Sequence, residues 1–175
     1  MFSDPIKNVE QLGLRLGSTV VDLGSGSGHY TFASARAVGD AGKVYAVDIQ
    51  KDMLTTLKND AGAEGLRNVE VVWGDIEKVG GTKLKSEVAD SAIISNILFQ
   101  IQDKGVVAEE AHRIVKRGGK LLLVEWSESF GGLGPQPEVV FTHDMAVSVF
   151  GKAGFEVDRE IRAGEHHYGI IFSKV

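Results

Sequence analysis

Short apolar runs alternate with helix-like stretches along most of this 175-residue chain. Continuous apolar runs are typical of parallel strands that are covered on both faces. Because each parallel strand needs a crossover, usually a helix, the alternation predicts a right-handed parallel α/β sheet. The predicted strands are residues 19–23, 43–49, 68–75, 90–96 and 119–126, and the predicted helices are residues 29–38, 51–63 and 104–115, the last running on to Lys116 and Arg117 before a glycine stop.

The last third of the chain has a different character. Residues 127–138 hold most of the proline and predict an irregular loop, after which Thr142 is a candidate N-cap for a helix that ends near Gly154. The runs 155–161 and 166–174 are separated by only four residues, too few for a helical crossover. We therefore expect them to pair antiparallel, as a hairpin at one edge of the sheet.

The composition is that of a soluble globular protein, with 43% apolar residues, 25% charged residues and a mean hydropathy near zero. We expect residues 1–175 to form a single domain, cytoplasmic because no apolar run or N-terminal signal suits a membrane or export. The absence of cysteine excludes thiolate zinc sites and cysteine nucleophiles. A net charge of −5 argues against a nucleic-acid partner and favours a small molecule.

A glycine-rich loop, VVDLGSGSGHY, follows the first predicted strand. Gly24, Gly26 and Gly28 lack Cβ, so the backbone can turn tightly and approach a ligand there with its N–H groups. The dinucleotide fingerprint GxGxxG needs a third glycine at the position of His29. The spacing here is GxGxG, which disfavours a dinucleotide.

Three acids accompany this loop near successive strand ends. Asp48 ends the second strand twenty residues after Gly28, where a carboxylate can accept from both hydroxyls of a ribose. That position indicates adenosine without choosing the cofactor. Ile49 and Met53 beside it are candidates for an apolar face against adenine, with ordinary core positions as their alternative. Asp22 and Asp75 end the first and third strands, with a turn acceptor and a helix N-cap for residues 76–79 as their alternatives.

The segment VVDLGSGSG resembles the first motif of class I S-adenosylmethionine-dependent methyltransferases, and EEAHRIVKRGGKLLLVEW is similar to the ubiquinone and menaquinone biosynthesis superfamily of that class. Arg117 departs from the proline usual there. The resemblance implies an α/β Rossmann-like fold: a seven-stranded, mostly parallel sheet in the order 3-2-1-4-5-7-6, with strand 7 antiparallel and helices on both faces.

The same resemblance implies S-adenosyl-L-methionine as cofactor and S-adenosyl-L-homocysteine as product. It places Asp22 near the methionine amino group, Asp75 at the adenine amine with the amide of Ile76, and Ser95 and Asn96 beside the sulfonium. The full set of predicted cofactor residues is Asp22, Gly24, Ser25, Gly26, Gly28, Tyr30, Asp48, Ile49, Asp75, Ile76, Ser95 and Asn96. We expect no metal site, since His166 and His167 adjoin on a strand and point to opposite faces.

Methyl transfer from a sulfonium needs no universal catalytic residue, because the cofactor carries the reactivity. A general base is required only for a protonated acceptor. Candidates for the site near the strand ends are His29, Tyr30, Glu125, Trp126 and His143, each with an ordinary packing or surface role as its alternative, so the catalytic residue stays unassigned.

Few residues outside the predicted core are available to form an acceptor site, since only about eighteen precede the first strand and the loop 127–138 is short. This suits a small acceptor, a partner protein that completes the site, or a homodimer. Two other functions remain open. One is a non-catalytic cofactor-binding module that supports a partner, and the other is a nicotinamide-dependent oxidoreductase.

Overall fold

The computed structural model describes residues 3–175, in which seven strands and five α-helices alternate. The strands are β1 (Thr19–Leu23), β2 (Lys43–Asp48), β3 (Val69–Trp73), β4 (Ala89–Ser95), β5 (Val115–Trp126), β6 (Phe155–Ile161) and β7 (His167–Lys174). The helices are α1 (Pro5–Leu12), α2 (His29–Val38), α3 (Lys51–Ala63), α4 (Lys104–Ile114) and α5 (His143–Lys152).

The seven strands form one sheet in the order β3-β2-β1-β4-β5-β7-β6. Neighbouring strands from β3 to β5 run parallel, whereas β7 runs antiparallel to both β5 and β6. The predicted order and the antiparallel last strand are confirmed. The carboxyl ends of β1 to β5 therefore meet at one edge of the sheet, where open α/β folds bind their ligands.

Helices cover both faces of the sheet. On one face Val9 of α1 and Tyr30 of α2 belong to a buried cluster with Val20 of β1. On the other face Val107 of α4 and Phe150 of α5 pack in a second cluster with strand side chains such as Val21 and Leu123. Across residues 3–175, no helix has the length and apolar character that a membrane span requires.

The end of the helix predicted over residues 104–117 is wrong. The chain leaves α4 after Ile114, and Val115 is already extended (φ −76°, ψ 136°) and pairs with Ala89 of β4. Basic residues and glycines are common at the C-terminal ends of helices, so the composition of residues 116–119 predicted such an end. In the structure a register shift in the β4–β5 pair accommodates them at the start of β5.

The third strand ends earlier than predicted. β3 stops at Trp73, so Asp75 lies in the following turn, where its Oδ1 accepts a hydrogen bond from the amide of Glu77 at 2.9 Å. Residues 76–79 form no helix, so the alternative role of Asp75 as a helix N-cap is wrong. The buried carboxylate of Glu110 holds this turn, because its Oε2 accepts from the amide of Gly80 at 2.7 Å.

The first helix was absent from the sequence prediction. The side chain of Asp4 accepts from the amide of Lys7, Pro5 occupies the first turn, and Gly13 ends α1 in the left-handed conformation (φ 72°). These are standard start and stop signals. They were missed because the helix has only eight residues. Thr142, in contrast, caps α5 as predicted.

A buried lysine joins the last strand to the end of α4. The Nζ of Lys174 donates to the carbonyl oxygens of His112 at 2.8 Å and Val115 at 2.9 Å, and Glu87 lies 3.5 Å from it. The residue is 8% exposed. Because the last carbonyls of a helix have no partner within it, this ammonium satisfies groups that would otherwise be unpaired.

We expect Lys174→Met to lower the free energy of unfolding by about 1.5–3 kcal/mol. The variant loses hydrogen bonds to a charged group and leaves buried carbonyl oxygens without a donor. Urea denaturation at neutral pH measures the change. Lys58→Met, at an exposed position of α3, is the control and should stay within about 0.5 kcal/mol of the wild type. Equal stability of the two variants would contradict the role of Lys174.

Candidate functional site

The carboxyl ends of the parallel strands open into a cavity of about 970 Å³. This volume is at the upper end of the range for small-molecule sites, about 300–1,000 Å³. The structure brings every predicted cofactor residue except Gly28 to the cavity wall: Asp22, Gly24, Ser25, Gly26, Tyr30, Asp48, Ile49, Asp75, Ile76, Ser95 and Asn96.

The glycine loop is attached to the end of β2. The amides of Gly24 and Ser25 donate to the carbonyl oxygen of Val47 at 2.8 and 3.0 Å, and the amide of Gly26 donates to Asp48 Oδ2 at 2.9 Å. Gly24 and Gly26 have φ values of 77° and 50°. Glycine adopts this left-handed region without strain, which explains its use at these turns.

Gly28 has a packing role behind the cavity. It precedes α2 with φ 85°, and a Cβ there would lie 2.8 Å from Leu57 Cγ and 3.0 Å from Phe32 Cζ. The glycine thus lets α2 and α3 approach each other closely. Its position gives no support to the prediction that it contacts a cofactor.

Asp48 lines the cavity at the end of β2 and is 6% exposed. Besides the amide of Gly26, its carboxylate accepts from the amide of Gln50 at 2.9 Å through Oδ1. Each carboxylate oxygen can accept more than one hydrogen bond. Both oxygens therefore keep capacity for a pair of ligand hydroxyls after fixing the two loops.

Asp22 is buried at the end of β1, where Thr31 Oγ1 donates to its Oδ2 at 2.6 Å. Burial raises the pKa of this carboxyl to about 6, against the hydrogen bonds from Thr31 and with help from the charge of Asp48. A cation that entered the cavity beside Asp22 would stabilise its ionised form.

Asp75 is more exposed than the other two acids. Hydrogen bonds from Lys78 Nζ, at 3.0 Å, and from the amide of Glu77 lower the pKa of its carboxyl. Ile76, which is buried, and Ile49, which is 59% exposed, supply apolar surface to the same part of the wall.

Two polar side chains in the wall lack partners. Among the described residues, nothing hydrogen-bonds to the buried Ser25 Oγ or to the buried Asn96 Oδ1. Unpaired buried polar atoms are rare in folded proteins and call for an explanation. Because both residues line the cavity, a polar ligand is the partner that they fit.

The charge of the wall is one-sided. The carboxylates of Asp22, Asp48, Asp75 and Glu77 line the cavity, and within residues 3–175 no lysine or arginine does so. Such a wall accepts hydrogen bonds and favours a cation. It offers no lysine or arginine of residues 3–175 to the two phosphates of a dinucleotide.

The candidate bases occupy different places. His29 is exposed and lines the cavity, as does Tyr30, whose hydroxyl already accepts from Asn8 Nδ2 at 2.8 Å and lies 3.0 Å from Ser3 Oγ. Burial raises the pKa of Tyr30, which makes it a poor base. Glu125 and His143 lie outside the wall, the latter with its Nε2 2.9 Å from Glu160.

A second part of the cavity is lined by Trp126, a candidate from the sequence, together with residues that the sequence did not predict there. Trp126 and His167 face each other across the β5–β7 pair with ring centroids 4.3 Å apart, and Leu133 and Gly134 of the following loop complete this side. A Cβ at Gly134 would lie 2.7 Å from Trp126 Cδ2, so the loop lies directly on the indole ring. The only local signal was the glycine content of that loop.

The comparisons with known proteins agree with this architecture. A family model described as a methyltransferase domain matches residues 14–144. The chain belongs to this family, and its sheet order is that of the class I S-adenosylmethionine-dependent methyltransferases. The resemblance found in the sequence is confirmed.

Particular relatives make the relationship more specific. The chain is 36% identical over 120 residues to the ubiquinone/menaquinone biosynthesis C-methyltransferase UbiE of Escherichia coli, which covers 66% of this chain and 45% of that protein. A SAM-dependent methyltransferase from Aquifex aeolicus shares 29% identity with a TM-score of 0.89, over 99% of this chain and 91% of that one.

A Haloferax volcanii chain solved with the Trm112 methyltransferase activator shares the fold, with 15% identity and a TM-score of 0.79 over 98% of this chain and 88% of that one. The present chain spans less than half the length of the curated relatives that it matches.

The family and the Aquifex structure imply S-adenosylmethionine as the cofactor. The cavity fits this group, since its carboxylates and the unpaired Ser25 Oγ and Asn96 Oδ1 suit a cationic ligand rich in hydroxyl and amine donors. Within the described part of the chain, no three His, Asp or Glu side chains are placed to hold a metal ion.

Glu125 generates a pH prediction for stability. Its burial raises the pKa of the carboxyl to about 7, against the amides of Leu98 and Ile97 and the charge of Lys104, whereas an unfolded chain has about 4.5. Between these values the folded state holds a proton that the unfolded state releases, so stability falls as pH rises from about 4.5 to 7. The loss approaches about 3 kcal/mol above that window.

We therefore expect Glu125→Gln, which is neutral at every pH, to remove this decline. Urea denaturation of both proteins at several pH values between about 4.5 and 8 measures it, and the difference in slope isolates the carboxyl. Parallel pH profiles for wild type and variant would contradict a raised pKa at Glu125.

Proposed function

We propose that this chain transfers a methyl group from S-adenosylmethionine to a small-molecule acceptor by in-line displacement. The observation that carries the proposal is the one-sided wall of the cavity, with four carboxylates, no lysine or arginine among residues 3–175, and a glycine loop beside them. A cofactor that bears a sulfonium and an ammonium matches this charge. The same wall disfavours acceptors that carry phosphate groups.

We assign the cofactor contacts as follows. Asp22 accepts from the ammonium of the methionine part, Asp48 accepts from the two ribose hydroxyls, and Asp75 accepts from the adenine amine beside the amide of Ile76. Ile49 and Ile76 contact the ring, and Ser95 and Asn96 lie beside the sulfonium. The support for this set is its position on one cavity wall.

When bound, the cofactor supplies a methyl group that sulfur releases readily. The chain contributes position and exclusion of water. We propose that the acceptor binds in the part of the same cavity that Trp126 and Gly134 line, which would hold the two reactants next to each other. Of the four candidate bases, His29 and Tyr30 line the cavity, and the Tyr30 hydroxyl is already hydrogen-bonded, so we propose His29 as the first of them to test if the acceptor must lose a proton.

The environment of the site completes the proposal. We propose that residues 1–175 form one domain, as the single sheet supports, and that the protein is cytoplasmic. A second copy or a partner protein at the mouth of the cavity stays a prediction. The Haloferax volcanii neighbour was solved with an activator, which makes a partner worth testing here.

The two alternative functions are less well supported. A non-catalytic module was suggested by the small amount of chain left for an acceptor site, yet the cavity has a second part formed by Trp126, Leu133, Gly134 and His167. A nicotinamide-dependent enzyme would bring a diphosphate into an acidic cavity. Quenching of tryptophan fluorescence by NADH and not by S-adenosylhomocysteine would favour it.

We expect Asp48→Ala to weaken binding of S-adenosylhomocysteine by about 1.5–3 kcal/mol, or roughly 10- to 150-fold, because two hydrogen bonds to a charged acceptor are lost. Calorimetric titration measures the affinity. Asp60→Ala, which removes an exposed carboxylate from α3, is the matched control and should bind as the wild type does. Equal affinity in both variants would reject the ribose assignment.

We expect label from isotopically marked S-adenosylmethionine to appear in a small molecule when the protein is incubated with a metabolite extract. Mass spectrometry detects the product, and heat-inactivated protein is the control. Cofactor binding without any labelled product would favour the non-catalytic module. Failure of the wild type to bind S-adenosylhomocysteine would reject the proposed function altogether.

A further inference from the structure

Glu125 lies directly behind the cavity wall at the end of β5. Its Oε1 accepts hydrogen bonds from the amides of Ile97 and Leu98, both at 2.7 Å, and the residue is 1% exposed. Asn96 precedes these amides in the left-handed conformation (φ 52°) and turns the chain away from β4. The carboxylate thus fixes the backbone immediately after that turn.

The segment that Glu125 holds is part of the cavity. We call residues 96–101 the wall segment, because Asn96, Ile97, Gln100 and Ile101 all line the cavity. Ile97 also reaches the glycine loop on the other side. A Cβ on Gly24 would lie 2.3 Å from Ile97 Cδ1, so the isoleucine fills the space that this glycine leaves free.

Burying a carboxylate at this position costs free energy. Its Oε2 is buried and has no hydrogen-bond partner among residues 3–175, and an apolar side chain would avoid the desolvation of a charge. The charge of Lys104 on α4 compensates it only in part, and burial together with the charge of Glu125 raises the pKa of Tyr168 on β7. What an apolar residue could not do is accept from two backbone amides.

We propose that Glu125 is a positioning residue that holds the wall segment against the glycine loop through Ile97 and so sets the affinity of the cavity for the cofactor. The inference rests on the proposed function. Glu125 does not line the cavity, so its effect reaches the ligand only through the backbone that it fixes.

Three variants test this. Glu125→Leu removes the acceptor and should weaken binding of S-adenosylhomocysteine by about tenfold, whereas Glu125→Gln keeps Oε1 and should stay within about twofold of the wild type. Lys174→Met is the matched control, because it too removes a buried charged group that makes two hydrogen bonds to the backbone, at residues outside the cavity. It should lose stability and keep its affinity.

Calorimetric titrations at a temperature where circular dichroism shows each variant folded separate the outcomes. A folded Glu125→Leu variant that binds as the wild type does overturns the inference, and so does a loss of affinity in Lys174→Met equal to that in Glu125→Leu. If the wild type itself does not bind S-adenosylhomocysteine, the proposed function fails instead, so the two failures are distinguishable.

Ile97→Val gives a second, milder test, and as a single variant it does not depend on the folding of Glu125→Leu. It removes the Cδ1 atom nearest Gly24 and should weaken binding by about threefold. The double variant Glu125→Leu/Ile97→Val tests whether the two residues act together. Its fold-loss of affinity should be smaller than the product of the two single fold-losses, because both changes release the same contact. Unchanged affinity of Ile97→Val, or fully multiplicative losses, would show that Glu125 does not act through this isoleucine.

Discussion

The hydrogen bonds that attach the glycine loop to β2 are the constraint on which the site depends. The carbonyl of Val47 and the carboxylate of Asp48 receive the amides of Gly24, Ser25 and Gly26, which requires left-handed backbone at two of the three positions. Only glycine accepts this conformation freely. The loop therefore joins β1, β2 and the segment after β4 into one wall of the cavity.

The second constraint is the free-energy cost of burying carboxylates and unpaired polar oxygens. Asp22 and Glu125 are buried carboxylates with raised pKa values, and Ser25 and Asn96 carry unpaired oxygens. Each lowers stability, because desolvation disfavours charged and unpaired polar groups. Asp22, Ser25 and Asn96 line the cavity, where a polar ligand can supply further donors, as is characteristic of a binding site, whereas Glu125 lies behind the wall and holds its backbone.

Sequence patterns predicted the fold well where the signal was local and repeated. The continuous apolar runs located β1 to β4 within about two residues of their observed ends, and the two runs with a short link between them located β6 and β7 and predicted their antiparallel pairing. The start of β5 was misjudged, since residues 116–119 have the composition of a helix end, and α1 was missed despite Asp4, Pro5 and Gly13. Among the site residues, Gly28 was assigned to the cofactor because packing glycines and ligand glycines look alike in a sequence.

The sequence by itself determined the order of the strands along the chain, the glycine loop, and the acids at or just after the ends of β1, β2 and β3. These features depend on local spacing and on the rule that parallel strands end at the same edge of the sheet. Only the tertiary structure decided what surrounds them. His167 contacts Trp126 because β7 pairs with β5. Glu125 of β5 accepts from the amides of Ile97 and Leu98 because these residues follow the neighbouring strand β4. Contacts between residues so distant along the chain leave no periodicity or motif, since they arise only when the sheet has formed.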